Sequence, residues 1–132
     1  MAVWSYTRSW SAEPAAIAHA REFVVDSLAR HRRELVPHDI VLVAGELATN
    51  AVRHARTPFS VTLTSLDGVV VVSVRDGVDS PPPVTVVGVH EISGRGLRIV
   101  AAYTSAWGVV AEPEGGKSVW AAFGEATLAA RS

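Results

Sequence analysis

One stretch of the sequence places chemically capable side chains at helical spacing. In ELATNAVRHA, residues 46–55, Asn50 lies about 40° around a helix axis from Glu46. Arg53 lies about 20° to the other side, and His54 about 80° away. A carboxylate, a carboxamide, a guanidinium and an imidazole therefore form one stripe opposite an apolar arc. The oxygens of Glu46 and Asn50 suit a hard cation such as Mg²⁺ that bridges to phosphates, and an ordinary solvated helix face is the alternative.

The asparagine in this stripe is informative because Asn50 is the only asparagine in the chain and glutamine is absent. Composition bias explains the scarcity, but asparagine is a poor residue for a helix interior. A Zn²⁺ site built from Glu46 and His54 would need ligands two turns apart and further histidines nearby. The stripe therefore favours the oxygen-seeking cation over zinc.

Three glycine-containing segments are also candidates for ligand contacts. Asp76-Gly77 follows a run of valines, so the acid is placed either to accept a hydrogen bond from a ligand's exocyclic amine or simply to form a turn. The second segment consists of Gly94, Arg95, Gly96 and Leu97 and begins a predicted helix. The free N–H groups at a helix start and the guanidinium suit an anion, and flexible loop glycines are the alternative.

The third segment, residues 116–118, resembles the end of a phosphate-binding P-loop. The match fails because Ala111 occupies the position of the first glycine of the P-loop motif. It also fails because a strand pattern follows Ser118, where the motif requires a helix. A contact between this hairpin and the edge of a nucleotide remains compatible with the sequence. Its Lys117 is the only lysine of the chain.

The surrounding pattern predicts the elements that position these residues. Periodicity and turn signals give the order β-α-α-β-β-loop-α-β-β. The predicted strands are Val3–Trp10, Phe59–Leu66, Val69–Arg75, Ala106–Glu112 and Lys117–Phe123. The first predicted helix starts at Ser11, Glu13 and Pro14 and ends at about Arg32. The second runs from Ile40 to Ala55, and the third from Ser93 or Gly94 to about Tyr103. This order predicts one α+β domain over residues 1–132, a two-layer sandwich of a mixed, mostly antiparallel sheet with three helices on one face.

Composition narrows the function classes. The chain has 132 residues, 48% of them hydrophobic, with a net charge of −1 and no cysteine. These values indicate one compact domain, give no electrostatic case for binding nucleic acid, and exclude disulfides and thiolate chemistry. The apolar stretches fall short of the about 20 residues that span a bilayer, and no signal peptide is visible, so we expect a cytoplasmic protein with no membrane association.

Taken in order, these segments resemble the GHKL (Bergerat-fold) ATP-binding domain, and specifically the small anti-sigma-factor serine kinases and related actinobacterial ATP-binding regulators. The resemblance covers roughly residues 12–124. ELATNAVRHA looks like the N box of that family. The resemblance implies that Glu46 is the general base or water-positioning acid, that Asn50 is the Mg²⁺ ligand, and that His54 lies near the phosphates of ATP.

The remaining boxes follow in register. VRDG, residues 74–77, resembles the first glycine box, in which Asp76 would hydrogen-bond the adenine amine next to Gly77. GRGLRIV, residues 94–100, resembles the second, which frames the ATP lid and phosphates with Gly94–Leu97. GGKSVWAAF, residues 115–123, resembles the closing hairpin, with Ser118 at the hydroxyl position near the adenine.

The sequence departs from the family pattern in two places. Val78 and Ser80 stand where later glycines of the first box are common, and Ile92-Ser93 stand where a basic residue often precedes the second box. The resemblance therefore supports ATP binding more firmly than phosphoryl transfer.

The resemblance implies a kinase that phosphorylates an anti-anti-sigma antagonist and sequesters a sigma factor. The alternative is a nucleotide-dependent partner-binding module without kinase activity. A detached sensor-kinase ATPase domain is disfavoured, since His19 and His31 have no dimerisation-bundle context. Trp4 and Trp10 beside the first strand suggest a homodimer edge.

Overall fold

The computed structural model describes residues 3–31, 38–66, 68–79, 104 and 106–124. Its strands form one five-stranded sheet in the order β1-β2-β3-β5-β4. Their bounds are β1 Trp4–Trp10, β2 Phe59–Leu66, β3 Val69–Asp76, β4 Ala106–Ala111 and β5 Lys117–Gly124. All neighbouring pairs in this described sheet are antiparallel, and the sequence predicts a mixed, mostly antiparallel sheet. The parallel strands β3 and β4 do not pair because β5 lies between them.

Two helices are described, α1 over Ala15–Ala29 and α2 over His38–Asn50, and a π-helical turn over Ala51–Ala55 continues α2. The helix begins later than the predicted start at Ser11: Pro14 is the N-cap of α1, and no side chain caps the helix. The Ser11 carbonyl instead accepts a hydrogen bond from the Glu13 N–H at 2.8 Å. The predicted helix near residues 93–103 lies outside the described residues.

The core lies between the helices and one face of the sheet. Alternate residues of the strands are buried there, as Leu63, Val72 and Phe123 show, beneath Leu28 of α1 and Leu47 of α2. The fold is thus the α+β sandwich that the sequence predicts. Because successive strand residues point to opposite faces, a one-residue difference in position decides which side chains can meet on the helix-covered face.

The two tryptophans of β1 pack within their own chain. The Trp4 ring stacks on the His31 ring with centroids 4.4 Å apart, and the Trp10 ring meets Phe23 edge-on at 5.8 Å. These contacts account for both aromatic side chains, so the homodimer edge stays a prediction. Among the described helices, none has the length and apolar character that crossing a membrane requires.

Candidate functional site

The central residue of the site is Asp76, which ends β3 and is buried, with 7% of its surface exposed. Its Oδ1 accepts a hydrogen bond from the Val78 N–H at 2.9 Å, and its Oδ2 accepts one from Lys117 Nζ at 2.5 Å. Burying a carboxylate is costly unless it is paired. Both oxygens therefore need the partners that the end of β3 and the start of β5 supply.

The register of β3 and β5 explains why Lys117 is that partner. Asp76 lies opposite Lys117, and Arg75 lies opposite Ser118. Strand alternation then puts Lys117 on the helix-covered face with Asp76 and Ser118 on the other face with Arg75. Ser118, whose hydroxyl the resemblance implies to lie near the adenine, is therefore on the sheet face opposite the Asp76 side chain.

The turn between β4 and β5 is attached to the same edge. The Gly116 N–H donates to Asp79 Oδ1 at 2.8 Å, and the Arg75 guanidinium donates to the Gly115 carbonyl at 3.3 Å. Gly116 has a φ of +81°, and a Cβ on it would overlap the Asp76 carbonyl oxygen. Glycine is required at this position because the turn backbone passes directly against the end of β3.

A hydrogen bond joins this edge to the segment that follows the N-box-like helix. The Gly77 N–H donates to Thr57 Oγ1 at 2.8 Å. Thr57 comes just after the π-helical turn, where Arg56 adopts a left-handed φ of 56° and its N–H donates to the Ala51 carbonyl at 3.0 Å. The structure thus places Asp76 and Gly77 beside the carboxyl end of the helix that carries Glu46 and Asn50.

The polar stripe on that helix is graded in burial. Glu46 and Asn50 are half-buried, whereas Arg53 and His54 are exposed. The stripe geometry predicted for an ideal α-helix fails after Asn50, since residues 51–55 form a π turn with i→i+5 hydrogen bonding. Single π turns within α-helices occur frequently at functional sites.

A shallow depression of about 280 Å³ opens at this edge of the sheet. Its walls include Pro58 and Phe59 at the start of β2, Asp76 and Gly77 at the end of β3, and Gly115 in the β4–β5 turn. Ser9, Ser60 and Arg75, whose side chains lie on the sheet face opposite the helices, complete its lining. The predicted phosphate segment, Gly94, Arg95, Gly96 and Leu97, lies outside the described residues.

The donor groups fit a nucleotide better than a metal held wholly by protein. No group of three or more His, Cys, Asp or Glu able to hold a metal occurs within the described residues. Mg²⁺ usually takes one or two protein oxygens and completes its shell with water and phosphate oxygens. The half-buried carboxamide of Asn50 suits that limited role.

Sequence reasoning missed three members of this cluster, Thr57, Asp79 and Lys117. A feature of the sequence does single out Lys117, because it is the only lysine of the chain and begins a predicted strand. Thr57 and Asp79 have no such feature, since their roles arise from contacts between segments 20 and 37 residues apart.

The sequence matches a known protein family. A family model described as histidine kinase-like ATPase domain matches residues 10–123, which include Glu46, Asn50, Asp76 and Lys117. A search of curated proteins found no match. The family match extends over most of the sequence, and it covers β2, β3 and β4 in full, β5 except its last residue, and only the last residue of β1. The chain belongs to the histidine kinase-like ATPase domain family.

Proposed function

We propose that the chain binds ATP with Mg²⁺ and acts as an anti-sigma regulatory protein. In this role it is a protein serine kinase that phosphorylates an anti-anti-sigma antagonist and also sequesters a sigma factor. Family membership supports the ATP-binding part. The observation that carries the site assignment is the Gly77–Thr57 hydrogen bond of 2.8 Å, which joins the buried Asp76 edge to the end of the Glu46–Asn50 helix.

The proposed binding roles follow from the chemistry of each group. Asp76 accepts a hydrogen bond from the exocyclic amine of adenine beside Gly77, and Asn50 offers its carboxamide oxygen to Mg²⁺. His54 is exposed at the end of the helix, where an imidazole can donate to a phosphate oxygen. The segment 94–97 offers backbone N–H groups and the Arg95 guanidinium to the phosphates. Bound Mg·ATP supplies the γ-phosphoryl group.

Glu46 is the proposed acid–base residue. It is half-buried in α2, one turn before Asn50, so a carboxylate stands close to the proposed metal ligand. The hydroxyl of the substrate serine gives its proton to this carboxylate as the serine oxygen bonds to phosphorus and ADP leaves.

Nucleotide binding is tested by titrating Mg·ATP into the purified chain in a calorimeter. Asp76→Asn replaces a charged acceptor by an amide, and we expect affinity to fall about 10- to 100-fold, since hydrogen bonds to charged groups contribute about 1.5–3 kcal/mol. Asp26→Asn makes the same change at an exposed position of α1 and is the matched control. Equal affinity of the two variants would refute the adenine assignment, and thermal unfolding of both separates lost binding from lost folding.

Phosphoryl transfer is tested with a partner captured by the chain and then incubated with labelled ATP. We expect Glu46→Gln to keep nucleotide affinity and to lose transfer by at least 100-fold, the scale of general-base catalysis. Label that appears on the partner with wild-type protein supports the kinase. Capture that depends on Mg·ATP, with no label transferred, would instead establish the partner-binding module.

A further inference from the structure

The ammonium group of Lys117, the only lysine of the chain, is bonded to the carboxylate that the proposed function assigns to the adenine amine. Lys117 Nζ lies 2.5 Å from Asp76 Oδ2, while Asp76 Oδ1 is engaged by the Val78 N–H at 2.9 Å. An exocyclic amine that donates to Oδ2 would therefore meet an oxygen already bonded to an ammonium group. Ligand and lysine compete for the same acceptor.

The two partners of this ion pair differ in their freedom to move. The Asp76 side chain is 5% exposed, and its backbone pairs with Phe59 on one side and Lys117 on the other. The Lys117 side chain is 21% exposed at the edge of the sheet. A lysine can swing its ammonium group into water on a flexible four-carbon stem, so Lys117 is the partner that is able to leave.

We propose that Lys117 is an affinity determinant of this site: it caps Asp76 Oδ2 in the ligand-free chain and leaves that oxygen when a base amine binds. The inference rests on the proposed function, since it requires that Asp76 receives a base. Binding exchanges a hydrogen bond between two opposite charges for one in which only the carboxylate is charged, so the attraction between the ammonium group and the carboxylate is lost. The lysine therefore weakens base binding while it keeps the buried carboxylate paired.

The single lysine allows a direct test on the unmodified protein. Adenosine is the probe, because it carries the base without phosphates that would attract other cations. Lys117 is acylated with an amine-reactive ester, and the modified peptide is quantified by mass spectrometry apart from the N-terminal amine. We expect saturating adenosine to raise the acylation rate at Lys117 several-fold. An unchanged or lower rate would show that the ammonium stays in place, which overturns the proposal.

Variants test the same competition through affinity. Lys117→Met removes the charge and keeps most of the stem, and we expect it to bind adenosine about tenfold more tightly, corresponding to about 1.4 kcal/mol. Lys117→Arg keeps a cation and should stay within a few-fold of wild type. Arg30→Met removes a charge from an exposed position at the C-terminal end of α1 and serves as the matched control. Equal or weaker binding by Lys117→Met refutes the competition.

The outcomes separate this inference from the proposed function. If neither ATP nor adenosine binds the wild-type chain in calorimetry, the proposed function fails and this inference fails with it. If adenosine binds but Lys117 becomes protected, the base site stands and the competition is wrong. Asp76→Asn in the free chain should by itself speed Lys117 acylation, and no change would refute the ion pair directly.

Discussion

Replacing Gly116 by alanine tests the close approach of the β4–β5 turn to the end of β3. The new Cβ would overlap the Asp76 carbonyl oxygen and lie 3.2 Å from the Asp76 carbonyl carbon. Those atoms belong to a backbone that is paired on both sides, so the collision cannot be relieved by moving a flexible side chain. Gly115 is the matched control, because it has a φ of +102° but its Cβ would only reach Asp79 Oδ1 at 3.6 Å.

The expected cost is the sum of three contributions. Left-handed backbone costs a residue with a Cβ about 1–2 kcal/mol, and this applies to both glycines. Both variants also gain about 0.4–1 kcal/mol of stability because alanine lowers the conformational entropy of the unfolded chain. Overpacking against fixed atoms adds about 1–3 kcal/mol at Gly116 alone. We therefore expect Gly116→Ala to lower the free energy of unfolding by about 1–3 kcal/mol more than Gly115→Ala does.

Urea denaturation followed by tryptophan fluorescence measures this difference, with Trp107 and Trp120 in the strands next to the turn as probes. The comparison is valid if the two variants share one denaturant slope. Equal unfolding free energies for the two variants would refute the close approach. A larger loss in Gly115→Ala would show that the turn conformation, rather than the contact with Asp76, limits stability.

Two further predictions concern the helix and its connection to the site. Gly45→Ala should raise the urea midpoint and stabilise the chain by about 0.5–1 kcal/mol, because alanine favours a helix interior. The Arg21 guanidinium that lies over Gly45 is the end of a flexible, exposed side chain and can move away from the new methyl group. A lower midpoint would show that Arg21 cannot move. Thr57→Val should cost about 1 kcal/mol and speed hydrogen exchange at the Gly77 amide, because the acceptor of that N–H is lost. Thr57→Ser keeps the hydroxyl, so exchange as fast as in Thr57→Val would contradict this role.

Local signals in the sequence predicted the hairpins well. β2 spans the predicted residues, and β3, β4 and β5 each differ from prediction by one residue at one end. The reason is the turn chemistry: Gly68 has a φ of 76°, and Gly115 and Gly116 also have positive φ, conformations that glycine adopts at little cost. The turn positions therefore fix the strand ends.

Features that depend on contacts between distant segments were not predictable in the same way. The pairing of β3 with β5 brings Asp76 to Lys117 across 41 residues, and no local pattern states that register. The π turn is also invisible to a periodicity that assumes one angle per residue throughout the helix. Its two polar residues, Arg53 and His54, consequently lie at angles that the ideal helix does not give.

The insertion of β5 between β3 and β4 has a consequence for the order of folding. β1, β2 and β3 with α1 and α2 come from the first 76 residues, yet β3 remains an open edge until residues 117–124 pair with it. The closing contacts span sequence separations of 41 to 55 residues, which slows folding because chain entropy is lost before these contacts form. A ribosome-bound chain that lacks β5 would expose the valine-rich strand Val69–Asp76 as an unpaired edge. Assembly of the Asp76 site and protection of that edge are therefore the same late event.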